Sequence, residues 1–173
     1  MASSDVFTRS FEAVQQRFKL TLDGITLREL AYRPHVEANS IAWLAWHLTR
    51  WQDAQIARFS ESDQVWVSGW AATFDRPADP RDTGIGHTSQ DVGSLVASGP
   101  LLLDYHDAVL DRTLGYLRNA TEAELEREYH DAARNRTDRV SARLVGVLSD
   151  NFQHVGQMAY LRGLLAGAHW GAH

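Results

Sequence analysis

The chain contains no cysteine. Disulfides, thiolate metal sites and a cysteine nucleophile are all excluded by that absence. Any metal must be held by His, Asp, Glu or backbone oxygen, and a thiol needed by its chemistry has to come from outside. Lysine is nearly missing too, with Lys19 alone among the 17 basic residues. Against 22 acidic residues the formal charge is −5, and neither sign forms long runs. There is no basic stripe of the kind that binds nucleic acid, so no nucleic-acid partner is expected. No apolar run approaches the ~18 residues of a membrane-spanning helix. The opening MASSDVFTRSFEAV lacks a charged-then-apolar signal pattern, which predicts a cytoplasmic protein with no membrane partner.

What is present is the balance of an ordinary globular protein, 173 residues with 44% hydrophobic and 10% aromatic side chains. One domain over residues 1–173 is expected, large enough to form a core without covalent staples. Phe7, Phe11, Val14 and Phe18 recur at helical spacing and predict a helix over Asp5–Leu22, with Ser4 as N-cap. After the LREL turn and Arg33-Pro34, Asn39 is the expected cap of a second helix. Its apolar face is Ile41, Leu44, Ala45, Leu48, Ile56 and Phe59. Trp43, Trp46 and Trp51 make this helix apolar almost all round, which predicts burial on more than one side; they serve either the core or a dimer interface. Residues 63–73 predict a short helix carrying Trp66 and Trp70. Residues 74–89, rich in Pro, Gly and Asp, read as a loop long enough to cover a site, with His87 an exposed loop histidine. A helical turn or two follow to Val96. A third long helix then runs from Pro100 to about Asn119, and Thr121 opens a short turn. Residues 126–137 are polar, with room for a short extended piece. The last long helix spans Asp138–Ala166, ending at Gly167, and His169 and His173 fall in an unassigned tail. Together these predict an all-α fold, an antiparallel four-helix bundle with extra short helices and a long inner connection.

The last helix carries the most informative pattern. Val140, Leu144, Val147, Met158, Leu161 and Leu165 form one stripe, into which Asn151 and His154 intrude with Asp150 on the flank. Side chains at i and i+4 share a helix face, roughly 5–6 Å apart at Cβ, so Asp150 and His154 are either an ion pair or half of a metal site. His47, between Trp43 and Trp51 on the second helix, is either a hydrogen-bonded packing residue or a ligand. Bundle metal sites use inward side chains from facing helices. Bundle topology then offers His47, Asp150 and His154 as a three-ligand set with an open position. Two histidines and a carboxylate suit zinc, placed first, with nickel, iron or manganese as alternatives. Arg50 either meets an anionic substrate or pairs with Asp53 structurally, the latter favoured. Gln157 is a candidate to support the metal shell or to bind substrate.

WLAWHL, preceded by RPHVEANSIA, together with DNFQHVGQMAYLRG, resembles the DinB-like superfamily, and the resemblance covers most of the chain in helix order. It implies a four-helix bundle with a three-ligand metal site. His47 matches the ligand of the second helix, and His154-Val155-Gly156-Gln157 matches the last ligand and its x-Gly-Gln. Asp150 stands where many members carry histidine and some glutamate. The resemblance further implies a homodimer and a small-molecule substrate. It also implies a metal-dependent enzyme using a low-molecular-weight thiol, of the S-transferase or mycothiol-dependent isomerase type, with a mycothiol- or bacillithiol-like cofactor. A metal-dependent hydrolase and a non-catalytic metal-binding stress protein are the alternatives.

Overall fold

The computed structural model describes residues 2–132, 135–167 and 170. Four long helices dominate: α1 (Ser3–Leu22), then, after the single-turn α2 (Leu27–Leu30), α3 (Ile41–Ser60). A 3₁₀ turn (Trp66–Ser68), α4 (Trp70–Thr73) and α5 (Ser89–Ser94) interrupt the connection to α6 (Gly99–Asn119). After α7 (Glu122–Glu126), strands β1 (Glu128–Asp131) and β2 (Arg136–Arg139) form an antiparallel hairpin leading into α8 (Val140–Ala166). The predicted long helices are all present in an all-α bundle, with the hairpin as the only sheet among the described residues. His169 and His173 lie outside the described residues.

The caps differ by a residue or two from those expected. Ser40, not Asn39, caps α3, its side chain accepting from the Trp43 N–H at 3.1 Å. Ser4 lies within the first turn of α1, where the Asp5 carboxylate instead accepts from the Ala2 N–H. Several residue types can satisfy the orphan donors of a first turn, so local composition leaves the starting residue open.

Buried apolar side chains form two clusters, one toward each end of the bundle. One end of the bundle joins Phe11 and Val14 of α1, Ile56 and Phe59 of α3, Leu110 and Leu117 of α6, and Val140, Leu144 and Val147 of α8. The other joins Phe18 and Leu22, Ile41, Leu44 and Leu48, Leu102 and Tyr105, and Val155, Met158 and Leu161. Early α1 residues therefore meet late α3 and α6 residues and early α8 residues. Helices α1 and α8 run one way, α3 and α6 the other. Each helix has one antiparallel neighbour, in the pairs α1–α6 and α3–α8, and the remaining contacts α1–α8 and α3–α6 are parallel. A parallel α3–α6 pair requires the chain to travel back along a helix of about 30 Å, and residues 61–98 do this. A polar chain marks the mid-level, where Gln52 donates to Thr113 Oγ1 at 2.8 Å and Asn151 donates to Gln52 Oε1 at 2.7 Å.

The return connection packs on α3 through Trp43, Trp46, His47 and Arg50, and 17 of the 20 residues of α3 are buried. This accounts for the tryptophan-rich sequence. Trp46 meets Trp66 edge-on at 5.9 Å, and Trp66 packs on Phe74 and Tyr105. Trp43 and Trp46 belong to the core under the connection and expose no face to a partner chain.

Candidate metal centre

Because α3 and α8 pack antiparallel, the early turns of α3 face the middle and later turns of α8. His47 of α3 thereby meets Asp150 and His154 of α8. Each offers a donor atom, and the three lie within 4.8 Å of one another. The two imidazoles meet edge to face with centroids 4.8 Å apart. His154 Nε2 sits 3.5 Å from Asp150 Oδ1. His47 is buried while Asp150 and His154 are partly exposed, so the group opens to one side.

Each histidine has one ring nitrogen engaged elsewhere. His47 Nδ1 donates to the backbone carbonyl of Thr83, and His154 Nδ1 donates to Gln157 Oε1 at 2.8 Å. Bonds of this kind select the tautomer and turn the other nitrogen, Nε2, toward the shared space. Asp150 Oδ2 is buried with no hydrogen-bond partner. An unpaired buried carboxylate oxygen carries a substantial desolvation cost, and a cation bound by Asp150 and the two imidazoles would offset it. The donor set, two imidazoles and one carboxylate, fits a divalent transition ion. Burial holds the His47 imidazole below its ordinary pKa, opposed by the Thr83 carbonyl, so it stays neutral as a ligand must. Burial also acts to lower His154, but its bonds to Asp150 and Gln157 outweigh this and raise it.

Behind His47 stands the connection. Trp43 stacks on the His47 ring at 4.6 Å and donates from Nε1 to His87 Nδ1 at 3.1 Å. His87 Nε2 in turn bonds Asp82 Oδ1 at 3.0 Å and the ring stacks on Trp46. His87 is therefore pinned in place with its side chain only 16% exposed, unlike the exposed loop histidine its surroundings in sequence predict. Gly84 passes so close that a Cβ there would lie 2.8 Å from Trp43, 3.1 Å from Trp46 and 3.2 Å from His47 Nδ1. Its φ of +89° is a second demand that glycine meets without strain.

Arg50 holds this strap from below. Its side chain is completely buried. It donates to the backbone carbonyls of Asp82 at 3.0 Å and Pro80 at 3.4 Å, to Gln64 at 2.9 Å and to Asp53 at 3.1 Å, and it lies over the Trp66 ring. Asp53 also accepts from the N–H groups of Val65 and Trp66, both at 2.8 Å, and from the Tyr105 hydroxyl at 3.1 Å. With its donors engaged inside the protein, Arg50 has none to offer a substrate, and the favoured structural pairing with Asp53 is the one seen. Through the Asp82 and Pro80 carbonyls it holds the loop that bears Thr83. Thr83 and Gly84 are the residues of this shell that sequence reasoning passed over. The available signal was Asp82-Thr83-Gly84, an Asx turn in which the Gly84 N–H donates to Asp82 Oδ1 at 3.1 Å.

A crystal structure described as a conserved protein from Enterococcus faecalis superposes with a TM-score of 0.84 at 29% identity, covering 97% of this chain and 99% of the other. No curated protein is significantly similar to it. The family model of the DinB superfamily matches residues 10–158, a span that takes in α3, α8 as far as Met158 and all three converging side chains, and the chain belongs to that superfamily.

Proposed function

We propose that the protein is a cytoplasmic, divalent-metal-dependent enzyme that transfers or isomerises a small electrophile with the help of a low-molecular-weight thiol. The observation that carries this reading is the convergence of His47, Asp150 and His154, with one buried oxygen of Asp150 left without a hydrogen-bond partner. Among the described residues no fourth His, Asp or Glu joins the group, which supports a centre open to an exogenous ligand over a closed structural site. A bound divalent ion, zinc first among the candidates, would supply Lewis acidity that lowers the pKa of a coordinating thiol. The protein's own contribution is orientation. Thr83 and Gln157 fix the two imidazoles, and the Trp43 ring shields His47 from water on one face. A chain without cysteine offers no competing thiol of its own.

Zinc-loaded protein mixed with a chromogenic electrophile, with and without small thiols, tests the reaction. Thiol-dependent turnover is expected. Turnover indifferent to thiol would replace the transferase by a hydrolase, and no turnover with tight metal would favour a non-catalytic binding protein. We further propose a homodimer through the exposed stripe Val145, Ser149, Phe152 and Gly156 of α8, with Val145 58% and Phe152 46% exposed. Light scattering should give twice the chain mass, falling to one for Phe152→Asp. No helix among the described residues is long and apolar enough to cross a membrane.

A further inference from the structure

One helical turn from the centre, along the groove between α3 and α8, lies a cavity of about 250 Å³. Leu44, three residues before His47, forms part of its wall, and Gln157, three residues after His154, forms another. Pro34, Leu161 and the ring of Tyr160 supply further apolar surface, and Asn39 adds an amide. No Lys, Arg, Asp or Glu lines it. Gln157 belongs to both places, because its Oε1 accepts from His154 Nδ1 while its Nε2 amide has no partner among the described residues. The Asn39 side chain likewise makes no hydrogen bond among the described residues.

We infer that this cavity is the specificity pocket of the centre and takes a small, uncharged, apolar or aromatic substituent attached to a metal-binding head group. The inference rests on the metal reading of His47, Asp150 and His154. Its physical basis is the lining. A charged substituent would enter a wall with no countercharge and lose its hydration, whereas a flat apolar body exchanges water for Leu44, Leu161 and Tyr160. The free amides of Gln157 and Asn39 provide hydrogen bonds to a carbonyl or ether on the same group. Pockets of this kind take orientation from a few polar groups and affinity from apolar walls. The volume sits near the low end for ligand sites, roughly 300 Å³ and upward, and so limits the substituent to about the size of one ring.

Hydroxamates test this without knowledge of the natural substrate, because they bind divalent ions directly. Calorimetric titration of zinc-loaded protein should show benzohydroxamate binding at least about tenfold tighter than acetohydroxamate, the order expected when a ring's apolar surface is buried. 4-Carboxybenzohydroxamate should lose that advantage. Tyr160 is 68% exposed, so Tyr160→Asp should fold normally. It should leave acetohydroxamate affinity unchanged and erase most of the aryl preference. Equal affinity of the two uncharged hydroxamates for the wild type, or a preference indifferent to Tyr160→Asp, would overturn the pocket while leaving the metal centre intact. Failure of the protein to take up zinc would remove both.

Discussion

Replacing Gly84 by alanine separates the work of the strap from general loop stability. A residue with a side chain at φ +89° costs about 1–2 kcal/mol relative to glycine. At Gly84 the new Cβ would also stand 2.8 Å from Trp43 and 3.1 Å from Trp46, both buried ring systems with little room to retreat. Overpacking of this kind adds about 1–3 kcal/mol, for a total of roughly 2–5 kcal/mol. Gly86 is the internal control, with φ +85° and nothing within 4 Å of an added Cβ, so Gly86→Ala should incur the first cost alone. In a chain of this size each kcal/mol lowers Tm by about 2–4 °C, a difference thermal unfolding monitored by circular dichroism resolves. The metal readout is sharper. Relief of the overlap moves the Thr83 carbonyl off His47 Nδ1, and loss of such a supporting bond typically lowers metal affinity about 10–100-fold. Competitive zinc titration should show that loss for Gly84→Ala and not for Gly86→Ala. Equal effects of the two substitutions on both Tm and zinc affinity would refute the claim that the strap positions His47.

Elemental analysis should find about one metal per chain, with His47→Ala and His154→Ala each losing most of it and Asp150→Asn, which keeps an oxygen but not the charge, losing less; unchanged content in both histidine variants would sink the centre. Arg50→Ala leaves Asp53 buried without its cation and should destabilise the protein by about 3–5 kcal/mol in urea unfolding. Arg50→Lys should recover little of this, because a single ammonium cannot span the Asp82 carbonyl, Gln64 and Asp53 together. His106 is stacked on Phe18 with neither ring nitrogen bonded, and burial lowers its pKa from 6.5 to about 4. Above pH 6.5 it does not affect stability. As pH falls from 6.5 to 4 the unfolded chain takes up a proton that the folded chain refuses, so stability should drop by about 3 kcal/mol over that window. His106→Leu should flatten that limb of the stability–pH curve, and an unaltered curve would place the acid sensitivity elsewhere.

Much of the fold is legible in the order of residues, because a helix that buries one face must repeat apolar side chains every three to four positions. That spacing locates α1, α3, α6 and α8, and the tryptophans of α3 announce that more than one of its faces is covered. The sequence also exposes Asp150 and His154 as a polar intrusion into an apolar stripe, since i and i+4 on one helix must be neighbours whatever surrounds them. It further determines that no thiol of the chain can take part. Other features belong to tertiary structure alone. Spacing within one helix says nothing about which helix lies opposite. His47 joins the pair only because α3 and α8 pack antiparallel at the same level, while α1 and α8 run parallel because residues 61–98 carry the chain back. Residues 74–88 form a loop as their composition predicts, with Ser89 already in α5, but that composition cannot tell a free lid from a strap. Buried Arg50, the Trp43–His87 bond and the space available only to Gly84 decide that, through contacts between residues more than 30 positions apart. The Asp150–His154 turn is thus a local fact of one helix. Its completion by His47, with the Thr83 carbonyl behind it, is a property of how the helices and their connection pack.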